Sequence, residues 1–267
     1  MMKAGHLQFK PEFGNPESNI QKIENLTKDK KFDLLVIPEL ANSGYFFSDT
    51  TEVEKSSEEI PSGKFCSSLK EICSAKNAHI VSGICEMDGN KFYNSSILVY
   101  PSGEIKTYRK IHLFYEEKKW FQPGDSAPEV YEIQGQYGVV KIGMMICFDW
   151  MFPEIARSIA LKGAQVICHP SNLVMPYCQQ AMFTRSLENH VFTITANRTG
   201  REVNKSGKEL NFTGNSVILN PQGNYLYKGS LENDECIVIE IYPDEAMNKD
   251  INAMNNLFKD RRPELYS

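Results

Sequence analysis

The sequence lacks the features that would place it in a membrane or on a nucleic acid. Nowhere in its 267 residues does an apolar run approach the roughly eighteen residues that a membrane-spanning helix needs. The first residues, Met1 to His6, soon turn polar and contain no apolar core of the signal-peptide kind. The formal net charge is -5, which disfavours binding to nucleic acid or to an acidic membrane surface. We therefore predict that neither a membrane nor a nucleic acid is a partner.

The cysteines exclude two kinds of small scaffold. There are seven of them, an odd number, and they are scattered and mostly placed within apolar runs. Such a set does not form a disulfide framework, and no Cys-x-x-Cys pair offers the usual start of a structural zinc site. The sequence thus predicts reduced thiols, a cytoplasmic location and no bound metal.

The order of apolar and polar segments predicts the fold class. Hydrophobic residues make up 41% of the chain, which is enough for a sizeable core. Strands and helices alternate at first and hairpins dominate later, with no internal repeat or low-complexity linker. This order predicts one α/β domain over residues 1–267, with sheet layers covered by helices. Residues 41–63 and 199–212 are polar and predicted to be long loops, which often cover functional sites.

The most informative stretch is residues 139–154. Residues 139–146 form an apolar run with the length and branching of a buried strand. Pro153 suits the first turn of a helix, and Glu154 complements the positive helix end. Cys147 is therefore predicted to lie between a strand end and a helix N-terminus. Open α/β sheets bind ligands at such places, and a nearby helix N-terminus lowers the pKa of a thiol.

Two charged residues follow strand-like runs in the same way. Glu39 comes after the buried run of residues 32–38, and Lys110 comes after the hairpin strand of residues 104–109. A carboxylate can take the proton of a thiol that is mostly un-ionised at neutral pH. An ammonium group and a backbone N–H can stabilise the negative charge that develops when the thiolate attacks a carbonyl or nitrile carbon. Glu39, Lys110 and Cys147 are therefore a sufficient set for acyl transfer through a thioester.

Each of these residues also has an ordinary structural interpretation. A single cysteine in an apolar run is most often an inert buried thiol. Glu39 is compatible with a surface loop, and Lys110 beside Arg109 is compatible with a solvated charge pair. Only the occurrence of all three at strand ends favours the functional interpretation.

Other polar and aromatic residues leave alternatives open. His112 and His169 suggest a Cys–His pair of the thiol-protease kind, although histidines that are satisfied near strand ends are the interpretation we favour. Asn172 either lines a pocket or caps the segment before Pro176. Aromatic residues beside a core more often pack than bind. Those that are candidates for a pocket wall are Tyr45, Trp120 and Trp150.

Six segments match one known family in order and spacing. They are Val36–Leu40, Tyr108–Phe114, Gly143–Glu154, His169–Leu173, Arg185–Asn189 and Ala196–Gly200. With these segments the chain resembles the nitrilase superfamily of carbon–nitrogen hydrolases, and the similarity spans essentially the whole chain. The compact single-domain members found in prokaryotes look most similar.

The resemblance implies a fold and a set of roles. The fold would be the four-layer α-β-β-α sandwich of the carbon–nitrogen hydrolase type. Glu39 would be the general base, Lys110 the oxyanion-stabilising residue and Cys147 the nucleophile. The N–H of Phe148 would be the backbone oxyanion donor.

The resemblance also implies a second active-site glutamate, an assembly state and the absence of a cofactor. Glu117 has the better spacing for the second glutamate, and Glu116 is the alternative; both lie in a charge run that is equally compatible with a solvated face. No metal or organic cofactor is expected. A homodimer or higher homo-oligomer is expected, with the C-terminal tail, residues 248–267, packing on a partner subunit.

The same three residues serve amides, N-carbamoyl compounds and nitriles, so the residues by themselves do not specify the substrate class. True nitrilases usually have Trp-Glu directly after the cysteine, whereas this chain has Phe148 and Asp149, which look more like the amidase-type branches. We predict a small-molecule amidase, with ω-amides and carbamoyl compounds included, that forms a Cys thioester. A nitrilase that converts a small aliphatic nitrile to acid and ammonia is the alternative. A non-catalytic binding protein on the same fold is the third interpretation.

Overall fold

Strands and helices alternate along the part of the chain that the computed structural model describes, residues 1–136 and 138–266. The strands are β1 (Met2–Gln8), β2 (Leu34–Ile37), β3 (His79–Asp88), β4 (Lys91–Val99), β5 (Ile105–Arg109), β6 (Val130–Gly135), β7 (Gly138–Met144), β8 (Val166–Pro170), β9 (Phe192–Ala196), β10 (Arg201–Val203), β11 (Glu209–Asn211), β12 (Val217–Leu219), β13 (Tyr225–Lys228) and β14 (Glu235–Ile241). The α-helices are α1 (Pro16–Thr27), α2 (Thr50–Ser56), α3 (Lys64–Lys76), α4 (Glu117–Trp120), α5 (Pro153–Leu161) and α6 (Cys178–Asn189). Short 3₁₀ helices follow β7 and β14, at Cys147–Met151 and Pro243–Met247, and a third lies within the C-terminal tail, at Pro263–Leu265.

Two six-stranded sheets form the centre of the structure. The first has the order β14-β1-β2-β3-β4-β5 and the second β13-β12-β9-β8-β7-β6. In each sheet three neighbouring strands are parallel, β1-β2-β3 in the first and β7-β8-β9 in the second, and the outer strands are antiparallel. Helices cover the outer faces. The predicted α-β-β-α sandwich is confirmed.

The short strand β2 shows how the sequence fills both faces of its sheet. All four of its residues are buried, and they alternate between two cores. Leu34 and Val36 belong to the core between the sheets, whereas Leu35 and Ile37 belong to the core under α1 and α3. A strand with both faces covered reads as a continuous apolar run, which is why the sequence predicted it correctly.

Both polar segments predicted as loops contain regular structure, so that part of the prediction was wrong. Helix α2 lies within residues 41–63, where the Asp49 side chain caps it by accepting from Glu52 N at 2.9 Å. Residues 199–212 contain the hairpin β10-β11, which turns at Gly207 with φ +77°. Elements of three to seven residues are too short for an amphipathic period to be recognised.

Two further differences concern β6 and the Cys147 strand. No pattern in the sequence predicts β6, an edge strand in which only Ile133 is fully buried. Strand β7 begins at Gly138 and ends at Met144, so it is offset from the predicted residues 139–146. Among the described residues, no helix is both long and apolar enough to cross a bilayer.

The C-terminal tail makes contacts within its own chain. The Phe258 ring lies between Arg157 on α5 and Lys249, with cation-to-centroid distances of 5.5 Å and 5.1 Å. Met254 and Leu265 remain exposed. Ser267, the last residue of the predicted tail, lies outside the described residues.

Candidate active site

Strands β2 and β5 end at the same edge of the first sheet, because both run parallel to β3. Glu39 follows β2 in a tight turn that continues through Leu40, whose φ is +48°. The turn packs on Gly83 of β3, where an added Cβ would lie 2.3 Å from Glu39 Cα. Only a glycine allows the Glu39 backbone to approach this closely.

Lys110 is fixed by backbone hydrogen bonds on both sides. Its N–H donates to Asn94 O at 2.9 Å, and its carbonyl accepts from Gly124 N at 2.8 Å. An added Cβ at Gly124 would lie 2.2 Å from Arg109 O, so glycine is required here too. The ammonium group is therefore held in a defined position, and Lys110 is completely buried.

Cys147 occupies a strained turn at the end of the second sheet's β7 segment. Its φ is +39°, in the left-handed region that residues with a Cβ adopt rarely and at an energetic cost. His169 Nε2 lies 3.0 Å from Cys147 O. Burial lowers the pKa of His169 to about 4, so this ring is neutral and donates to that carbonyl. His169 therefore holds the turn and is not aimed at the thiol as a base.

Asp149 ties the cysteine turn to the segment after β5. Its carboxylate accepts from Ile146 N at 3.0 Å and from Tyr108 OH at 2.8 Å. It also accepts from His112 N at 3.2 Å, with His112 Nδ1 at 2.8 Å. His112 in turn stacks on Phe152 with centroids 3.6 Å apart. Both histidines are thus satisfied structural residues, as we favoured.

The Lys110 ammonium lies between two carboxylates. Lys110 Nζ is 2.7 Å from Glu39 Oε1 and 2.9 Å from Glu117 Oε1. Burial opposes the charged form of Lys110, but Glu117 and Glu39 outweigh it and raise its pKa above the ordinary value. Burial raises the pKa of Glu117, with Lys110 acting in the opposite direction. The alternative second glutamate, Glu116, points elsewhere and pairs with Lys119 at 2.6 Å.

The two oxygens of Glu39 differ in what they contact. Oε1 accepts from Lys110 Nζ and from Asn94 Nδ2, both at 2.7 Å. Oε2 is buried and has no hydrogen-bond partner among the described residues. A buried oxygen without a donor is costly, so such an atom in a native fold calls for a functional explanation. It is free to accept a proton.

The pKa of the Cys147 thiol depends on burial and on the charges of Glu39, Lys110 and Glu117. Burial raises its pKa well above the ordinary value, and Glu39 and Glu117 raise it further, while Lys110 and the backbone N–H of Asn172 act against them. The predicted lowering by a helix N-terminus is therefore wrong. Helix α5 begins only at Pro153, and burial beside carboxylates dominates at Cys147. The free protein holds a neutral thiol that needs a base.

Two crevices open above these groups and share Phe114 and Val174. One reaches Cys147. It is lined by Phe114, Cys147, Phe148, Trp150, Asn172, Leu173, Val174 and Met175. The other reaches Glu117 and is walled by aromatic residues that include Tyr45 and Trp120. A wider surface cleft by Lys28 and Lys31 lies elsewhere and contains none of the predicted site residues.

The structure brings together Glu39, Lys110, Glu117 and Cys147, and Phe148 follows directly as the second residue of the 3₁₀ helix. N–H groups in a first helical turn have no partner within the helix. The Phe148 N–H is therefore available as an oxyanion donor.

Two residues of the site, Asn94 and Asp149, were not predicted from the sequence. Asn94 is one of several polar residues in β4, so nothing in the sequence singled it out, and Asp149 was noted only as a family difference. Within residues 1–136 and 138–266, no group of three or more His, Cys, Asp or Glu side chains could hold a metal ion.

Comparison with known proteins gives consistent results. The family model described as carbon-nitrogen hydrolase matches residues 3–247 of this chain. A nitrilase of Pyrococcus abyssi is 44% identical over 100% of this chain and 99% of its own length. A 2-oxoglutaramate amidase of Bacillus subtilis is 30% identical over 97% of each chain. The structure of a mutant amidase of Nesterenkonia AN1, from the nitrilase superfamily, is similar in fold, with a TM-score of 0.79, 23% identity and coverage of 99% of this chain and 95% of that one.

Proposed function

Because the chain belongs to the carbon-nitrogen hydrolase family and is an enzyme of that type, we propose that it hydrolyses the amide bond of a small neutral molecule through a thioester on Cys147. One observation supports this most strongly. Glu39 keeps a buried, unpartnered oxygen in a group with Lys110, Glu117 and the thiol. This arrangement has little structural benefit, since buried charges are costly even when they are paired.

In the first half of the reaction the thiol proton moves to Glu39 Oε2 as sulfur attacks the amide carbon. The carbonyl oxygen becomes an oxyanion, which Lys110 Nζ and the Phe148 N–H stabilise. When the carbon–nitrogen bond breaks, Glu39 gives its proton to the departing nitrogen, and ammonia or an amine leaves. Removal of one oxyanion donor typically costs about 3–4 kcal/mol of barrier.

In the second half water cleaves the thioester. Glu39 takes a proton from the water, hydroxide adds to the carbonyl carbon, and the carbon–sulfur bond breaks as the acid forms. Glu39 then returns the proton to the thiolate, so the cycle consumes one water. Burial raises the pKa of Glu117. This carboxyl group orients Lys110 and is our candidate for a hydrogen bond to the departing nitrogen.

The crevice walls support a neutral acyl group. The side chains around Cys147 are aromatic or aliphatic, except for the amide of Asn172. Among the described residues that line either crevice, the charged side chains are Glu116 and Glu117. A substrate with a second carboxylate would therefore be desolvated without a cation to pair with it, which is unfavourable.

A nitrile is the second candidate substrate, and the 44% identical nitrilase relative favours it. Attack on a nitrile gives a thioimidate on Cys147, and two waters are consumed before acid and ammonia are released. The same proton path through Glu39 serves both reactions.

The test is ammonia release from a panel of neutral, anionic and cationic amides, carbamoyl amines and aliphatic nitriles. Short neutral amides are expected to be turned over best, and Cys147→Ala is expected to abolish turnover. Cys236→Ala, at a buried thiol in the core under α1 and α3, is the matched control and should retain it. Turnover by Cys147→Ala would contradict the proposal, and a preference for anionic amides would contradict the substrate class.

A homo-oligomer remains part of the proposal. Apolar side chains on the tail stay exposed in the single chain, Met254 by 86% and Leu265 by 67%, and exposed apolar residues of this kind often mark interfaces. Light scattering at micromolar concentration is expected to give a mass above the 30.4 kDa of one chain. A species of single-chain mass at every concentration would contradict it.

A further inference from the structure

A buried ion pair, Arg198 with Glu202, lies behind the wall of the second crevice. Arg198 is completely buried and Glu202 is 6% exposed. The guanidinium contacts one carboxylate oxygen of Glu202 and lies 3.9 Å from the centroid of the Phe212 ring. The mechanism above uses neither charge. A buried pair of this kind adds little net stability compared with apolar residues of similar volume, so its presence needs another explanation.

The other oxygen of Glu202 holds the loop that follows Glu39. It accepts from Tyr45 N at 3.0 Å and from Phe46 N at 2.8 Å. The approach depends on Gly44, where an added Cβ would lie 2.9 Å from Glu202 Oε1. Two backbone N–H groups on one ionised oxygen make strong, charge-assisted hydrogen bonds. The backbone of Tyr45 is thereby fixed relative to hairpin β10-β11.

The Tyr45 hydroxyl in turn contacts Glu117, the second glutamate of the site. It donates to Glu117 Oε1 at 2.7 Å, on the oxygen that also accepts from Lys110. The Tyr45 ring also meets Phe212 edge to face, with centroids 5.9 Å apart. The hydroxyl stabilises the ionised form of Glu117 and so opposes the burial that raises the Glu117 pKa.

We propose that Glu202 and Arg198 are positioning residues that act on Glu117 through Tyr45. This inference rests on the proposed function of the site. Glu202 fixes the Tyr45 backbone, Arg198 pairs with Glu202 and holds it in place, and Tyr45 holds Glu117 Oε1 against Lys110. The β10-β11 hairpin thereby takes part in setting the protonation of a residue that lies on a different element.

A double-mutant cycle on kcat/KM and on its pH profile tests this. The probe is ammonia release from butyramide, or from the best compound of the panel. Tyr45→Phe removes one hydrogen bond to a charged group, so kcat/KM is expected to fall about 10-fold. The limb of the profile set by Glu117 is expected to move to higher pH. Glu202→Gln is expected to shift the limb in the same direction, and in the Tyr45→Phe background it should produce no further shift to higher pH.

The direction of the shift separates positioning from simple charge removal. Loss of the Glu202 charge by itself would ease ionisation of Glu117 and move the limb to lower pH. Displacement of Tyr45 moves it to higher pH. The matched control is Glu209→Gln, which breaks the exposed Arg201–Glu209 pair in the same hairpin, 3.0 Å long, and should leave the profile unchanged.

Additive losses, or a Glu202→Gln variant with lower thermal stability and an unshifted profile, would overturn the inference. If Glu202→Gln does not fold, Arg198→Met/Glu202→Met leaves no unpaired buried charge and replaces it in the cycle. Absence of any Cys147-dependent ammonia release contradicts the proposed function instead. The cycle is then measured on the rate at which iodoacetamide alkylates Cys147, and additivity there still overturns the inference.

Discussion

Glu39→Gln is expected to have opposite effects on catalysis and on the acidity of the nucleophile. The substitution keeps the shape of the side chain and an oxygen that can accept from Lys110 Nζ, but it removes the base and its negative charge. A positioned general base typically contributes about 10²–10⁴-fold, so kcat/KM for ammonia release should fall by about that factor. The Cys147 thiol, in contrast, should become more acidic, because Glu39 is one of the groups that raise its pKa.

The direction of the acidity change follows from the charge that is removed. Without the negative charge of Glu39, formation of a second negative charge on the Cys147 sulfur is opposed less, so the thiol pKa should fall. The assay is the rate of iodoacetamide alkylation at Cys147, mapped by peptide mass spectrometry across pH, with Glu116→Gln as the control that changes a carboxylate paired with Lys119.

Mapping can separate Cys147 from the other thiols because their surroundings differ. Cys147 lines a crevice that a small reagent can enter, whereas Cys73 and Cys236 lie in the core under α1 and α3. A Glu39→Gln profile that stays in place or moves to higher pH would refute the electrostatic reasoning. Turnover at the wild-type rate would refute the assignment of Glu39 as the base.

Three further predictions concern residues around the site and in the core. Asp149→Asn replaces one of the two carboxylate oxygens, each of which contacts two donor groups, so the free energy of unfolding should fall by about 2–3 kcal/mol in urea titrations, and turnover should fall with it. Gly83→Ala places a Cβ 2.3 Å from Glu39 Cα, so unfolding free energy should fall by about 3 kcal/mol and activity should be lost. Burial lowers the pKa of His6 from 6.5 to about 3. As the pH falls below 6.5, the unfolded chain binds a proton at His6 and the folded protein does not, so the free energy of unfolding should decrease, by about 2 kcal/mol at about pH 5. His6→Phe should therefore flatten the decrease in stability between neutral pH and about pH 5.

Each of these predictions can fail in a defined way. An Asp149→Asn variant with wild-type stability would mean that the four hydrogen bonds do not hold the cysteine turn. An active Gly83→Ala variant would show that the Glu39 backbone can shift without consequence; Gly89→Ala, with open space around the new Cβ, is its control. For His6, an acid-induced decrease in stability that is unchanged in His6→Phe would mean that other groups cause it.

The sequence allowed the clustering of the candidate site residues to be predicted because these residues follow recognisable strands. Glu39 and Cys147 come directly after short apolar runs, and Lys110 follows an alternating hairpin strand. Strand ends at one edge of a sandwich meet in space, so the convergence followed from the fold class. The resemblance to the carbon–nitrogen hydrolases and the layered fold were both confirmed.

What the sequence did not reveal depends on contacts between distant segments. The acidity of Cys147 was predicted in the wrong direction, because burial and two carboxylates brought by folding outweigh the nearby helix end. Asn94 and Glu202 act through partners 55 and 157 residues away, and no local pattern marks such pairs. The hairpin β10-β11 was predicted as loop because its strands are three residues long.

Cys147 is the proposed nucleophile, and the stoichiometry of its alkylation tests this role without further assumptions. The protein is treated with increasing iodoacetamide, and the label on each of the seven cysteines is compared with residual ammonia release. Activity is predicted to fall linearly with label on Cys147 and to reach zero at one equivalent per chain, while the other thiols remain unlabelled. Full activity with Cys147 completely alkylated, or loss of activity that follows another cysteine, would contradict the account.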